Sequence, residues 1–109
     1  MKVSTYADIK PVPEMPGVMK RVVIGAEDGA PNFIMRVFDV APGGATPFHT
    51  HHWEHEVYVL DGKGVAVNDR GETPISRDSV IFVAPGEKHC FRNNGKEALR
   101  FICVIPKEG

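Results

Sequence analysis

Four of the chain's five histidines fall within nine residues, Phe48-His49-Thr50-His51-His52-Trp53-Glu54-His55-Glu56, and the fifth, His89, stands apart. A neutral imidazole offers a nitrogen that binds a divalent ion at roughly 2.0–2.2 Å, and a carboxylate offers oxygens at similar range. Side chains of an extended strand alternate between its faces. His49 and His51 therefore share a face and form a two-pronged clamp, and His52 points away, toward solvent or a subunit contact. His55 keeps the parity of the clamp if the strand continues evenly. Glu56 has the opposite parity and turns inward only if a bulge intervenes. His89 follows the turn Ala84-Pro85-Gly86 and can complete a metal site from another strand. Read as a solvated surface tract, residues 49–55 would bind metal only weakly.

The elements that must position these donors are short strands. Apolar runs alternate with turn signals along the chain: residues 19–25, 32–40, 47–51, 56–62, 64–69, 74–77, 79–85, 89–93 and 99–106. The breaks carry turn formers, among them Pro42-Gly43-Gly44, Asp61-Gly62, Pro85-Gly86 and Asn94-Gly95, the last a tight-hairpin signal. No segment sustains a helical period. The pattern predicts an all-β sandwich or barrel, because strands this short hide their edges by closing on one another. Residues 1–18, with Pro11, Pro13 and Pro16, are expected to run extended over a barrel of residues 19–106. A chain of 109 residues makes one domain.

Two motifs resemble those of the cupin family. Gly43, His49, His51, Glu56 and Gly62 stand at the spacing of its first motif. Pro85-Gly86, His89 and Asn93 resemble its second. The resemblance covers about residues 19–106 and implies a double-stranded β-helix, or jelly-roll barrel, around a metal. The chain departs from the pattern at Ala84, where the family usually has proline, and lacks the glycine that opens the second motif. His-Trp-Glu-His-Glu followed by Val57-Tyr58-Val59-Leu60-Asp61-Gly62, together with the C-terminal Phe101-Ile102-Cys103-Val104-Ile105-Pro106, is similar to small single-domain cupins in which a histidine replaces the acidic ligand. That resemblance, with the parity of His55, implies His49, His51, His55 and His89 as ligands. The alternative set replaces His55 with Glu56. The resemblance implies one divalent transition metal per chain, with manganese favoured; iron, copper, nickel and zinc also suit imidazole donors.

A metal-bound histidine usually donates its other ring nitrogen to an oxygen, and Glu54, Glu56 and Asn93 are candidates for that role. Phe101, Cys103 and Ile105 share one face of the last apolar run. If that face is the interior, they line a substrate pocket with Phe91. Phe33, Met35 and Val37 read as core, and Arg36 among them is either an outward charge or an inward one that meets an anionic substrate; Ile34 and Phe38 on its own face favour the pocket. Trp53 reads as a packing anchor.

Net charge is −1 and lysines and arginines are scattered, so nothing draws nucleic acid or an anionic membrane. No apolar stretch suits a signal peptide or a bilayer span, and the cytoplasm is the expected compartment. Cys90 and Cys103 fit no zinc-finger or redox spacing and are expected as free thiols. No nucleophile–base motif is present, so any catalysis falls to the metal. The expected function is a metal-dependent oxygenase or oxidase acting on a small molecule. The alternatives are a non-catalytic binding or sensor module, and an isomerase or decarboxylase using Glu56, Tyr58 or Lys63 as acid or base. Small cupins resemble one another in pairing through edge strands, which implies a homodimer.

Overall fold

The computed structural model describes residues 1–108. Nine strands run in chain order: β1 (Val12–Met15), β2 (Val18–Ile24), β3 (Phe33–Val40), β4 (His55–Asp61), β5 (Lys63–Asn68), β6 (Gly71–Ser76), β7 (Val80–Val83), β8 (His89–Arg92) and β9 (Leu99–Pro106). They form two antiparallel sheets, one in the order β1-β2-β3-β9-β4-β7 and one in the order β6-β5-β8. The architecture is an all-β jelly roll whose two sheets enclose the core and a cavity.

Strand β9 shows how local pattern becomes tertiary position. Leu99, Phe101, Cys103 and Ile105 are buried, while the residues between them are half-exposed. This is the two-residue period of a sheet with one wet face. Strand β3 pairs with β9 in a register that sets Ile34 beside Ile105, Arg36 beside Cys103 and Phe38 beside Phe101. On the other side β4 sets Val57 beside Cys103 and Val59 beside Phe101. Leu99, Phe101, Val18, Val40 and Val59 are almost wholly removed from water. Each contributes roughly 1.5–3 kcal/mol of apolar burial before chain entropy is counted. Gly62, with φ of 88°, makes the β4–β5 turn, and a Cβ there would lie 2.3 Å from the Ala98 carbonyl oxygen. Only glycine meets both conditions.

Three local expectations are corrected. Residues 47–51 form no strand; His49 makes one isolated bridge, to His89. Pro42-Gly43-Gly44 and Pro47 break the ladder there, since proline lacks the donor a ladder needs. Asn94-Gly95 does not close a tight hairpin, because β8 and β9 belong to different sheets. The link is organised by Asn93, 1% exposed, which donates to the carbonyls of Val40 at 2.8 Å and Glu97 at 2.7 Å and accepts from the Gly95 N–H. Within residues 1–18 the chain is not uniformly extended: Tyr6–Asp8 form a 3-10 turn and β1 pairs with β2.

The outer face of the larger sheet carries exposed apolar side chains, interrupted by Glu56 and Tyr58 of β4. Phe33, expected in the core, is 69% exposed, Val80 and Phe82 are 73% and 60% exposed, and Met35, Ile102 and Val104 lie between them in the register of β3, β9, β4 and β7.

Candidate functional site

His49 and His89 exchange both backbone hydrogen bonds, at 3.2 and 3.0 Å. Residues paired in this way present their side chains to the same face, and their ring centroids are 5.7 Å apart. The Gly86 N–H donates to the His51 carbonyl at 2.7 Å, which ties the second arm of the clamp to the turn before β8. The Nε2 atoms of His49 and His51 are 3.0 Å apart. His55 opens β4 opposite Val83 and is 5% exposed. Its ring lies 5.2 Å from that of His51 and 4.7 Å from that of His89. The four imidazoles therefore converge on one side of a cavity of about 900 Å³. Among the described residues no three or more His, Cys, Asp or Glu side chains stand at closed coordination spacing.

The ring nitrogens facing away from the cluster have partners that the sequence reading missed. His89 Nδ1 donates to the Glu87 carbonyl at 2.9 Å, which leaves Nε2 with a lone pair. The Glu87 carboxylate accepts from Asn68 Nδ2 at 2.9 Å and from the Ala84 N–H at 3.1 Å, and these bonds hold its pKa below the usual range. Glu87 thus pins the turn whose carbonyl orients His89. His55 Nδ1 lies 3.4 Å from Cys103 Sγ, while its Nε2 is buried with no partner. The expected partners Glu54, Glu56 and Asn93 do not serve. Glu54 and Glu56 are exposed, and Asn93 is spent on the loop it organises. Two-residue spacing before the histidine, as in Glu87-Lys88-His89, is a weak signal, and the Cys103 contact is non-local.

Glu56 lies on the outer face of β4, next to Phe82 and Val104. No bulge separates it from His55, so it cannot turn inward with that histidine. His52 is exposed, and Trp53 both packs on the core and stacks on His51 at 4.3 Å and 14°. Arg36, Phe91, Phe101, Cys103 and Ile105 all line the cavity with Ile34 and Phe38. The acid/base candidates are elsewhere: Tyr58 is 43% exposed and donates to Asp78, and Lys63 is exposed.

Burial lowers the basicity of His49, His51 and His55. Desolvation first, then the neighbouring His89 and Arg36, push His55 down to about 3. His49 and His51 are lowered as well, chiefly by desolvation. Neutral imidazoles are the form that binds metal.

The fold and the convergent histidines define a class, and the chain belongs to the cupin family: the model of the Cupin domain matches residues 36–105. Its structure is similar to that of the polyketide cyclase RemF from Streptomyces resistomycificus, with a TM-score of 0.90, 36% identity, and coverage of 97% of this chain and 79% of that one. The oxalate-binding protein of Thermotoga maritima is 37% identical over 65 residues, 59% of this chain and 54% of that protein. The 1-methylthio-D-xylulose 5-phosphate methylsulfurylase of Rhodospirillum rubrum is 31% identical over 74 residues, 68% of this chain and 47% of that protein. The chain thus spans about half the length of these curated relatives. Among the described residues no helix is long and apolar enough to cross a membrane.

Proposed function

We propose that the cavity is the site of a metal-dependent enzyme acting on a small organic molecule, with His49, His51, His55 and His89 holding one divalent transition metal. The observation that carries the reading is His55 Nε2. It is a buried ring nitrogen without a partner, in the wall of a space that three further imidazoles share. An orphaned buried nitrogen is costly unless something occupies it. The donor set fits: His89 Nδ1 is committed to a carbonyl, so Nε2 is its coordinating atom. Four nitrogens leave positions open on a six-coordinate ion. Manganese is favoured by resemblance to the family, and the imidazole donors also suit iron, copper, nickel and zinc.

A divalent ion bound there supplies Lewis-acid polarisation of a substrate oxygen. The chain's own residues do the rest. Phe38, Phe91, Phe101 and Ile105 exclude water, Arg36 supplies positive charge, and Trp53 holds the ring plane of His51. Similarity to a polyketide cyclase supports a reaction in which the substrate is polarised and rearranged without net oxidation. Oxygenase or oxidase chemistry is the second reading, favoured by the imidazole-rich donor set, and oxygen consumption separates the two. A sensor without catalysis would retain metal and ligand but turn nothing over.

Elemental analysis of untagged protein is expected to find about one transition metal per chain. His55→Ala should lose most of it, a larger effect than the roughly tenfold to hundredfold that follows loss of an outer partner. Full occupancy in the variant would remove His55 from the ligand set. No metal in the wild type after reloading would sink the reading.

We also propose a homodimer, buried on the outer face of the larger sheet and its edge strands. Phe33, Val80 and Phe82 are large apolar side chains that a monomer rarely leaves so exposed together. Light scattering at micromolar protein should give twice the 12.0 kDa chain mass. A mass equal to one chain would refute it, and Phe82→Glu should shift the dimer toward monomer.

A further inference from the structure

Arg36 is the charged group that the metal reading leaves unexplained. It faces inward from β3, and its guanidinium has no carboxylate partner among the described residues. Nη2 donates to Cys103 Sγ at 3.0 Å, a weak acceptor, and Nε is buried with no partner at all. The guanidinium carbon lies 5.0 Å above the Phe38 ring. An arginine remains charged in any such setting. A half-buried cation with one sulfur acceptor and one aromatic face is incompletely compensated. The cavity wall also includes Asp8, Lys10, Glu14 and Lys20, but the side chains nearest Arg36 are Ile34, Phe38, Cys103 and Ile105. Thr46 Oγ1 already accepts from the Phe91 N–H at 2.8 Å.

We infer that the cavity binds an organic carboxylate with an apolar body, the carboxylate seated on Arg36 and the body against Phe38, Phe91, Phe101, Ile34 and Ile105. The guanidinium fork matches a planar carboxylate with two parallel donors. Arg36 Nη2 and His55 Nδ1 meet the same sulfur, at 3.0 and 3.4 Å, so a carboxylate on Arg36 sits beside the histidine cluster. A sugar would lay hydroxyls against Ile34, Phe38, Phe91, Phe101 and Ile105, which cannot satisfy them, and each unsatisfied hydroxyl costs affinity. The inference deepens the reading of the cavity as a ligand site, and it does not depend on a metal being present.

The test is calorimetric titration with benzoate and hexanoate, with benzamide, inorganic phosphate and ribose 5-phosphate as comparisons. It is run on wild type, Arg36→Lys and Arg36→Met, each stripped with chelator and then reloaded with manganese or zinc. The carboxylates are expected to bind the wild type at least tenfold more tightly than benzamide or either phosphate. Arg36→Met should lose that preference, and Arg36→Lys should keep part of it. Ligand-free Arg36→Met is expected to melt no lower than wild type, because an uncompensated charge has been removed; a structural arginine would give a lower melting temperature. If Arg36→Met does not fold, the benzoate-to-benzamide ratio on wild type still decides. Equal binding of benzoate and benzamide, a preference for phosphate, no saturable carboxylate binding, or an unchanged preference in Arg36→Met would each overturn the inference. An Arg36-dependent carboxylate preference in protein that never takes up metal would sustain it while ending the metal reading.

Discussion

Acidifying the metal-free protein from pH 7 to pH 4 is expected to remove about 3 kcal/mol of stability through His55 alone. The native ring titrates at about 3, pushed down first by desolvation and then by His89, Arg36 and the neighbouring imidazoles. The unfolded ring titrates near the ordinary histidine value of about 6.5. Between those two values the unfolded chain takes up a proton that the native state refuses. The unfolded state therefore gains on the folded one as pH falls through this window, and the loss flattens below about pH 3. His49 and His51 are lowered in the same direction and add to the slope. Asp28 and Glu87, both held below the usual carboxylate range, contribute a further loss at the acid end. The His55 share is isolated by comparison with His55→Gln, which keeps a polar group but cannot charge. Urea unfolding of both proteins in chelator, at pH 7, 5.5 and 4, should show a steeper decline in the wild type. Parallel declines would mean that the ring is hydrated in solution and that the cavity is wetter than its burial indicates. A bound ion should make the wild-type decline steeper still, because protons compete with it for the same nitrogens.

Replacing Phe101 with alanine is expected to cost about 3–5 kcal/mol, a large fraction of the roughly 5–15 kcal/mol that holds a domain of this size together. Phe101 is 1% exposed and stands at the middle of β9. It stacks on Phe38 at 5.2 Å and meets Phe91 at 5.0 Å, so it joins the two sheets as well as two strands of one sheet. Removing it leaves a void lined by two rings whose backbones are fixed by cross-strand pairs, and such walls relax little. The same ring forms the cavity floor, so the loss of stability is accompanied by a larger ligand space. Phe101→Leu refills part of the volume and should cost less. Midpoints of urea denaturation at pH 7 measure both. A cost below about 1 kcal/mol for Phe101→Ala would show that the sheets close over the gap and that the cavity is soft.

The strands were largely legible in the sequence, because a half-buried strand writes its period of two into the chain. Phe101, Cys103 and Ile105 were placed on one inward face by that period, and the structure buries all three. Alternation left open which face of β3 is inward; the β3–β9 register sets Arg36 beside Cys103 on the face of Ile34 and Phe38, and Phe33 on the opposite face is exposed. Alternation failed where the ladder does: residues 47–51 have a single bridge in place of a strand, and the loop at Asn94-Gly95 crosses between sheets. Both failures share a cause. A turn signal reports a change of direction but carries no information about which strand the chain pairs with next.

By itself, the sequence determined an all-β domain and a cupin-like pair of motifs; for His49, His51, His55 and the pocket wall it offered an expectation that rested on an unbroken strand. Tertiary structure alone decided that His89 meets His49 across one bridge and that Glu56 turns outward beside Phe82. It also decided that the Glu87 carbonyl and the Cys103 sulfur, not the nearby carboxylates, hold the outer nitrogens of His89 and His55. The division has a physical reason. Which face a residue occupies within a strand is set by bond geometry over two residues, whereas register between distant strands is set by the packing of the whole core, in which no single residue carries the information.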